Sequence, residues 1–204
     1  MKITWYAHSC FLVETESGSA VLDPYAPGSV PGLKLPALEA DLVLCSHEHS
    51  DHNYREGVKR SGKEASLHIE MLETFHDEKK GALRGPNTIH VLEAEGLRLV
   101  HLGDLGHMLS PEQIAALGRV DILLIPVGGY FTIGPDTAAE LAEKLRPAIT
   151  VPMHYRGEGF GYEVIGPVED FLRRRDKVLR LDTNVLRPEE LETPVTAVLK
   201  VSEK

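Results

Sequence analysis

Apolar positions along this chain recur mostly with the period of a strand, and in only three places with that of a helix. Residues 3–13 and 20–22 carry strand-like apolar runs on either side of the turn Glu16-Ser17-Gly18-Ser19, which predicts two paired strands. Asp23-Pro24-Tyr25 leads out of that sheet. The Pro- and Gly-rich residues 26–36 are expected as a surface loop. The run 42–45 is wholly apolar, as in a strand covered on both faces. Strands are also expected at 66–72, 88–92 and 97–102, with Glu95-Gly96 turning the last two into a hairpin, and at 121–127.

Helical spacing begins near Ser110-Pro111-Glu112, with Ser110 as N-cap and Pro111 at the first helical position. The clearest helix spans 135–145. There Ala138, Leu141, Ala142 and Leu145 form one apolar stripe and Thr137-Ala138-Ala139-Glu140 reads as a capping box. Strand 148–151 follows Pro147, then a helix over 168–175, and strands 177–181 and 195–201 close the chain. The chain is therefore β-rich early and βαβ-like late. Two packed sheets with helices outside would satisfy it, because strands apolar on both faces need cover on both.

At 204 residues without a linker or repeat, the expected organisation is one domain, 1–204. The net charge of −9 argues against nucleic acid as a general partner. No stretch approaches the ~20 apolar residues of a membrane span, and the first residues read as a strand without a signal-peptide core. The expectation is a cytoplasmic protein with no membrane partner. Cys10 and Cys45 lie far apart in apolar runs, where buried inert thiols are the ordinary state.

The chemistry concentrates in Ser46-His47-Glu48-His49-Ser50-Asp51-His52, directly after the apolar run 42–45. His47 and His49 lie two apart, so an extended segment points both the same way. Asp51 and His52 are adjacent and can diverge toward a second ion, so one loop can serve two metals ~3.5–4 Å apart. His76, Asp104 and His154 each follow an apolar strand, which suits ligands presented at one rim of a rigid scaffold. Two cations lower the pKa of a shared water from ~15.7 toward ~7, giving hydroxide at neutral pH.

This order (His-x-His-x-Asp-His, a later His, Gly-Asp, a strand-end His) resembles the metallo-β-lactamase-fold hydrolase superfamily. Asp23 in Leu22-Asp23-Pro24 belongs to the same pattern. The segments Trp5-Tyr6-Ala7-His8-Ser9, Pro126-Val127-Gly128-Gly129-Tyr130-Phe131-Thr132 and Val151-Pro152-Met153-His154-Tyr155 resemble a narrower branch. That branch is the small hydrolases related to L-ascorbate-6-phosphate lactonases. The resemblance implies an α+β fold, a four-layer αββα sandwich with the site at one edge of the two sheets. It puts His47, His49 and His76 on one metal and Asp51, His52 and His154 on the other, with Asp104 bridging. Two divalent ions are implied, zinc first, with manganese or iron as alternatives. The implied reaction is cleavage of a small anionic ester, lactone or phosphoester, with Asp51 orienting the hydroxide and carrying a proton. A phosphodiesterase acting on nucleotides, RNA ends or phospholipid head groups stays open, as do a metal-bound sensor without turnover and a homo-oligomeric state. A redox di-iron protein fits less well, because His49 stands where that branch carries a carboxylate.

Other residues divide between chemistry and scaffold. His8 and His107 are candidates for substrate contact, and for each a structural role weighs equally. Arg84 could grip an anionic group and Tyr130 could donate to an oxyanion; a solvated arginine and a packed aromatic are the plainer alternatives. Asp23 is expected to buttress the ligand loop, and Asp77 to support His76. His68 and His90 read as surface or satisfied structural histidines. His101 alternates away from the side of Asp104 and is a poor ligand candidate.

Overall fold

The computed structural model describes residues 1–201. In chain order the strands are β1 Lys2–Trp5, β2 Phe11–Thr15, β3 Gly18–Leu22, β4 Leu38–Ala40, β5 Leu42–Leu44, β6 Val58–Arg60 and β7 His68–Phe75. There follow β8 Pro86–Ala94, β9 Leu97–His101, β10 Ile122–Pro126, β11 Ile149–Met153, β12 Val178–Arg180, β13 Val185–Leu186 and β14 Val195–Val198. Among the described residues three α-helices intervene: α1 Pro111–Leu117, α2 Pro135–Leu145 and α3 Val168–Leu172.

Alternation along the strands builds two sheets around one core. A five-stranded sheet runs β13-β1-β2-β3-β5 and a seven-stranded sheet β12-β14-β11-β10-β9-β8-β7. Ile3, Phe11, Val13, Ala20 and Leu22 face the seven-stranded sheet and share a buried cluster with Leu99, Val100, Leu124 and Val151. The intervening residues point the other way: Val21 joins a second cluster with Tyr25, Leu38 and Val58, and Leu12 and Val43 pack against it. This split follows from the two-residue side-chain period.

β10 and β11 are fully buried and pair in parallel through the α2 crossover; β9 and β10 pair in parallel through α1. The result is an α+β sandwich. The three helices all follow strands of the seven-stranded sheet. The outer face of the five-stranded sheet is covered by the small parallel β4–β6 sheet and loop 26–37, where the αββα expectation places helices.

Several local expectations are corrected. The run 3–13 is two antiparallel strands, with Trp5 opposite Phe11, because the backbone reverses at Ala7 and His8, both at positive φ. The α2 N-cap is Gly134 with Pro135 opening the helix and no side-chain cap, so Thr137 and Glu140 do not form the expected box. The capping box belongs to α1, where Ser110 and Gln113 satisfy each other's backbone N–H groups. The third helix stops at Leu172 rather than Arg175. The β8–β9 hairpin turns at Glu95-Gly96 as expected, with both residues at positive φ.

Candidate metal centre

The three later histidine and aspartate candidates sit where strands of the seven-stranded sheet end. His76 follows β7, Asp104 follows β9 and His154 follows β11. The motif loop 46–52 leaves β5 of the other sheet and meets them across the sandwich edge. Tight backbone approaches set this junction. Gly103 lies at φ +56°, and a Cβ there would come 2.4 Å from that of Ser46. A Cβ on Gly106 would come 2.3 Å from the His76 carbonyl carbon. The β1–β2 turn docks on the same edge: the His8 carbonyl accepts both Trp5 Nε1–H at 3.1 Å and the His154 amide at 3.2 Å. Asp23, His8 and His154 all hold positive φ without being glycine, the local strain that recurs at functional sites.

Asp104 Oδ2 is the geometric centre. It lies 3.1 Å from His154 Nε2, 3.2 Å from His52 Nε2, 3.3 Å from His76 Nε2 and 4.0 Å from His47 Nε2. His47, His49 and His76 converge on one point; His8, Asp51, His52 and His154 converge on another. Every residue that the resemblance assigned as a ligand is thus in one cluster. His49 is exposed and Asp51 half-buried, while the other five are buried. His8 enters the second group, with Nε2 3.3 Å from Asp51 Oδ2.

Inner supports hold the cluster. Asp23 is fully buried; its Oδ2 lies 2.8 Å from His52 Nδ1 and accepts from Ser46 Oγ at 2.6 Å, and its Oδ1 accepts the Ser46 amide at 2.6 Å. Ser46 Oγ also lies 3.0 Å from His47 Nδ1. Asp23 is therefore a buttress, as expected. Asn87, which the sequence reading passed over, takes the Asp104 amide on its Oδ1 at 2.8 Å. Its Nδ2 donates to Leu102 O and Thr74 Oγ1. Asp77 supports His76 only indirectly, since its carboxylate accepts four backbone amides, from Lys79, Gly81, Leu83 and Arg84.

Do these residues fit cations? The Nε2 atoms of His47, His52 and His154 and Oδ1 of Asp104 are buried without a hydrogen-bond partner, although buried polar atoms are seldom left unpaired. Their donor types, imidazole and carboxylate, suit Zn²⁺, Mn²⁺ or Fe²⁺. Burial, reinforced by His52, pushes His47 down to about 3, so it is a neutral donor at pH 7. Burial also lowers His76. His52 differs: burial acts to lower it, but the Asp104 and Asp23 carboxylates outweigh burial and hold it well above the usual imidazole range. The metal-free site therefore keeps a proton on His52, which a cation must displace.

The remaining candidates separate. Arg84 and Tyr130 line one cavity of about 240 Å³ with Phe131 and Gly106, and the Arg84 guanidinium lies 5.8 Å from the Phe131 ring centre. His107 is tied into the scaffold: Nδ1–H donates to Met108 O at 2.9 Å and Nε2 accepts the Phe75 amide at 3.3 Å. Both nitrogens are spent on backbone, which corrects its reading as a proton donor or phosphate contact. His101 is buried away from the cluster, on Ser9 O at 3.0 Å. His68 is exposed beside Glu70. His90 is neither surface nor satisfied, being buried with Nδ1 unpartnered. The chief omission of the sequence reading is Tyr162, whose hydroxyl lies 3.1 Å from Asp51 Oδ2. A cavity of about 800 Å³ between residues 32–37 and 158–160 is, like the Arg84 cavity, lined by none of the seven ligand candidates.

Comparison with known proteins gives the family. Residues 2–154 match the family model described as the beta-lactamase superfamily domain. A UPF0173 protein of Pyrococcus abyssi is 31% identical, over 93% of this chain and 98% of its own. A UPF0173 metal-dependent hydrolase of Thermoplasma volcanium is 28% identical, over 96% and 98%. A crystal structure from Thermotoga maritima, described as a candidate Zn-dependent hydrolase of the metallo-beta-lactamase superfamily, superposes with TM-score 0.77 at 36% identity. It covers 97% of both chains.

Proposed function

The chain belongs to the metallo-β-lactamase superfamily, and from that premise we propose that it is a metal-dependent hydrolase with a two-cation centre acting on a small anionic ester, lactone or phosphoester. The observation that carries the reading is Asp104 Oδ2, set among four imidazoles at 3.1–4.0 Å while the facing Nε2 atoms of three of them, His47, His52 and His154, are buried without partners. In this assignment His47, His49 and His76 would hold one ion and Asp51, His52 and His154 the other, with Asp104 available to both. Such ions, when bound, supply an activated water near neutral pH and polarise the reacting oxygen.

The chain's own residues do the rest. Asp23 fixes the His52 ring so that Nε2 faces the centre. His8 holds Asp51 in line, and Asp51 sits where it can orient a water and take its proton. A cavity whose lining also includes Asp77, Glu78 and Lys79 carries Arg84 and Tyr130; both suit an anionic substrate group. Two free thiols, Cys10 and Cys45, suit a reducing cytoplasm. No helix among the described residues is long and apolar enough to cross a membrane.

The test is a product assay of zinc- or manganese-loaded protein on bis(p-nitrophenyl) phosphate against a lactone panel. Turnover of one class, lost with chelator and regained with metal, is the expected result and selects the substrate class. Two bound metals without turnover of any compound would favour a sensor or scaffold.

A further inference from the structure

Loop 155–166 is folded and anchored, and it delivers one side chain to the centre. Arg156 N donates to Gly166 O at 3.1 Å, and Gly166 N to Gly128 O at 2.7 Å, beside the strand end that presents His154. Gly161 N donates to Pro31 O at 2.9 Å, tying this loop to loop 26–36. Gly161 is needed there: it stands at φ +88°, with Arg156 Cα 2.9 Å from where a Cβ would be. The next residue is Tyr162. Its ring packs between Phe131, 5.5 Å away, and His8, 6.0 Å away. Its hydroxyl lies 2.6 Å from Ser29 O and 3.1 Å from Asp51 Oδ2.

The proton count is informative. A phenol is neutral well above pH 7 and carries one hydrogen. Both neighbours are acceptors, a carbonyl and a carboxylate, so one hydrogen faces two claims. In the proposed centre Asp51 would be drawn onto a cation, leaving Ser29 O as the resting acceptor. Rotation about the Cζ–Oη bond lets the hydrogen leave that carbonyl for an acceptor of greater negative charge, such as a developing oxyanion beside Asp51. Phe131, on the other side of the ring, lines the cavity that holds Arg84 and Tyr130, so Tyr162 packs on a wall residue of that cavity and reaches Asp51 with its hydroxyl.

We propose that Tyr162 is a catalytic residue that donates a hydrogen bond to the substrate oxygen that gains negative charge. No proton is transferred; the phenol stays intact and its O–H dipole acts on the developing charge. This assignment rests on the two-cation reading above. Tyr130, the sequence's candidate for this role beside the plainer reading of a packed aromatic, is largely exposed at 64% and has no hydrogen-bond partner among the described residues.

The experiment compares wild type with Tyr162→Phe, a change that removes one oxygen and keeps the ring packing. Both are loaded with zinc, assayed for metal per chain, and titrated with inorganic phosphate by calorimetry. The expected result is equal metal content and a melting temperature lowered by no more than the lost Ser29 O hydrogen bond explains, a few degrees, with phosphate bound about 10- to 100-fold more weakly by the variant, as befits one hydrogen bond to a charged group. Equal phosphate affinity at equal metal content, or no phosphate binding by the loaded wild type, overturns the Tyr162 role and leaves the metal reading standing. Loss of metal from the variant also overturns it, because Tyr162 would then act through Asp51. A wild type that takes up no metal overturns the two-cation reading itself.

Discussion

Replacing Asp23 by Asn tests how far the site depends on a residue that touches no substrate. Asp23 is fully buried and accepts from two groups of Ser46 at 2.6 Å while lying 2.8 Å from His52 Nδ1. A carboxylate accepts at both oxygens; an amide accepts at one and donates at the other. If Asn keeps its oxygen on the Ser46 amide, its NH₂ faces His52 Nδ1–H. The imidazole then relieves the donor–donor clash by moving its hydrogen to Nε2, the atom that faces Asp104. If the amide flips, its NH₂ meets the Ser46 N–H instead. Either way the ligand loop loses a contact, or His52 adopts the tautomer that cannot bind a cation; wrong-tautomer effects of this kind are large in catalytic triads. Loss of such an outer contact weakens metal binding about 10- to 100-fold, roughly 1.4–2.7 kcal/mol. A second effect has the opposite sign. Asp23 is one of the two carboxylates that raise His52, so the variant's metal-free site holds that proton less firmly and releases less of it on metal uptake. The affinity deficit should therefore be greater at pH 8 than at pH 6. Chelator competition and calorimetry in buffers of different ionisation enthalpy read both quantities. Wild-type affinity at pH 8, or unchanged proton release, would refute the argument.

Two further predictions concern Asp104, at the centre of the site, and His90, outside it. Asp104→Asn should keep the fold, by circular dichroism, yet lose at least one metal by mass spectrometry; retention of both would refute the bridging position. His90 should make the protein acid-sensitive. Burial pushes it from 6.5 down to about 4, although Asp23 pulls the other way. Between those values the unfolded chain binds more protons than the folded one, so stability falls as pH drops from 6.5 to 4, by roughly 3 kcal/mol at about 1.4 kcal/mol per pKa unit. Denaturant unfolding of metal-free His90→Leu should show a slope shallower by about one proton across that window, and an equal slope would contradict the assignment.

The sequence made the motif loop legible because its ligands are local, and the strand-end ligands legible because each follows an apolar run. It could not show Tyr162, whose partners Ser29 and Asp51 lie 133 and 111 residues away, in a glycine-rich segment without periodicity. Asn87 was hidden in the same way, inside a strand it does not interrupt. The break at Ala7 and His8 fell within a continuous strand-like stretch, so only the positive φ values reveal it. The small β4–β6 sheet, with three residues per strand, is too short for alternation to register. His107 misled for a physical reason: proximity to Asp104 in the chain says nothing about backbone groups that claim both ring nitrogens.

The central claim is that Asp104 and its imidazoles hold two cations, and the most direct test is metal content per chain by mass spectrometry of protein purified without chelator or added metal. About two equivalents of zinc, manganese or iron is the predicted result. One equivalent or none, unchanged after metal is offered, would contradict it.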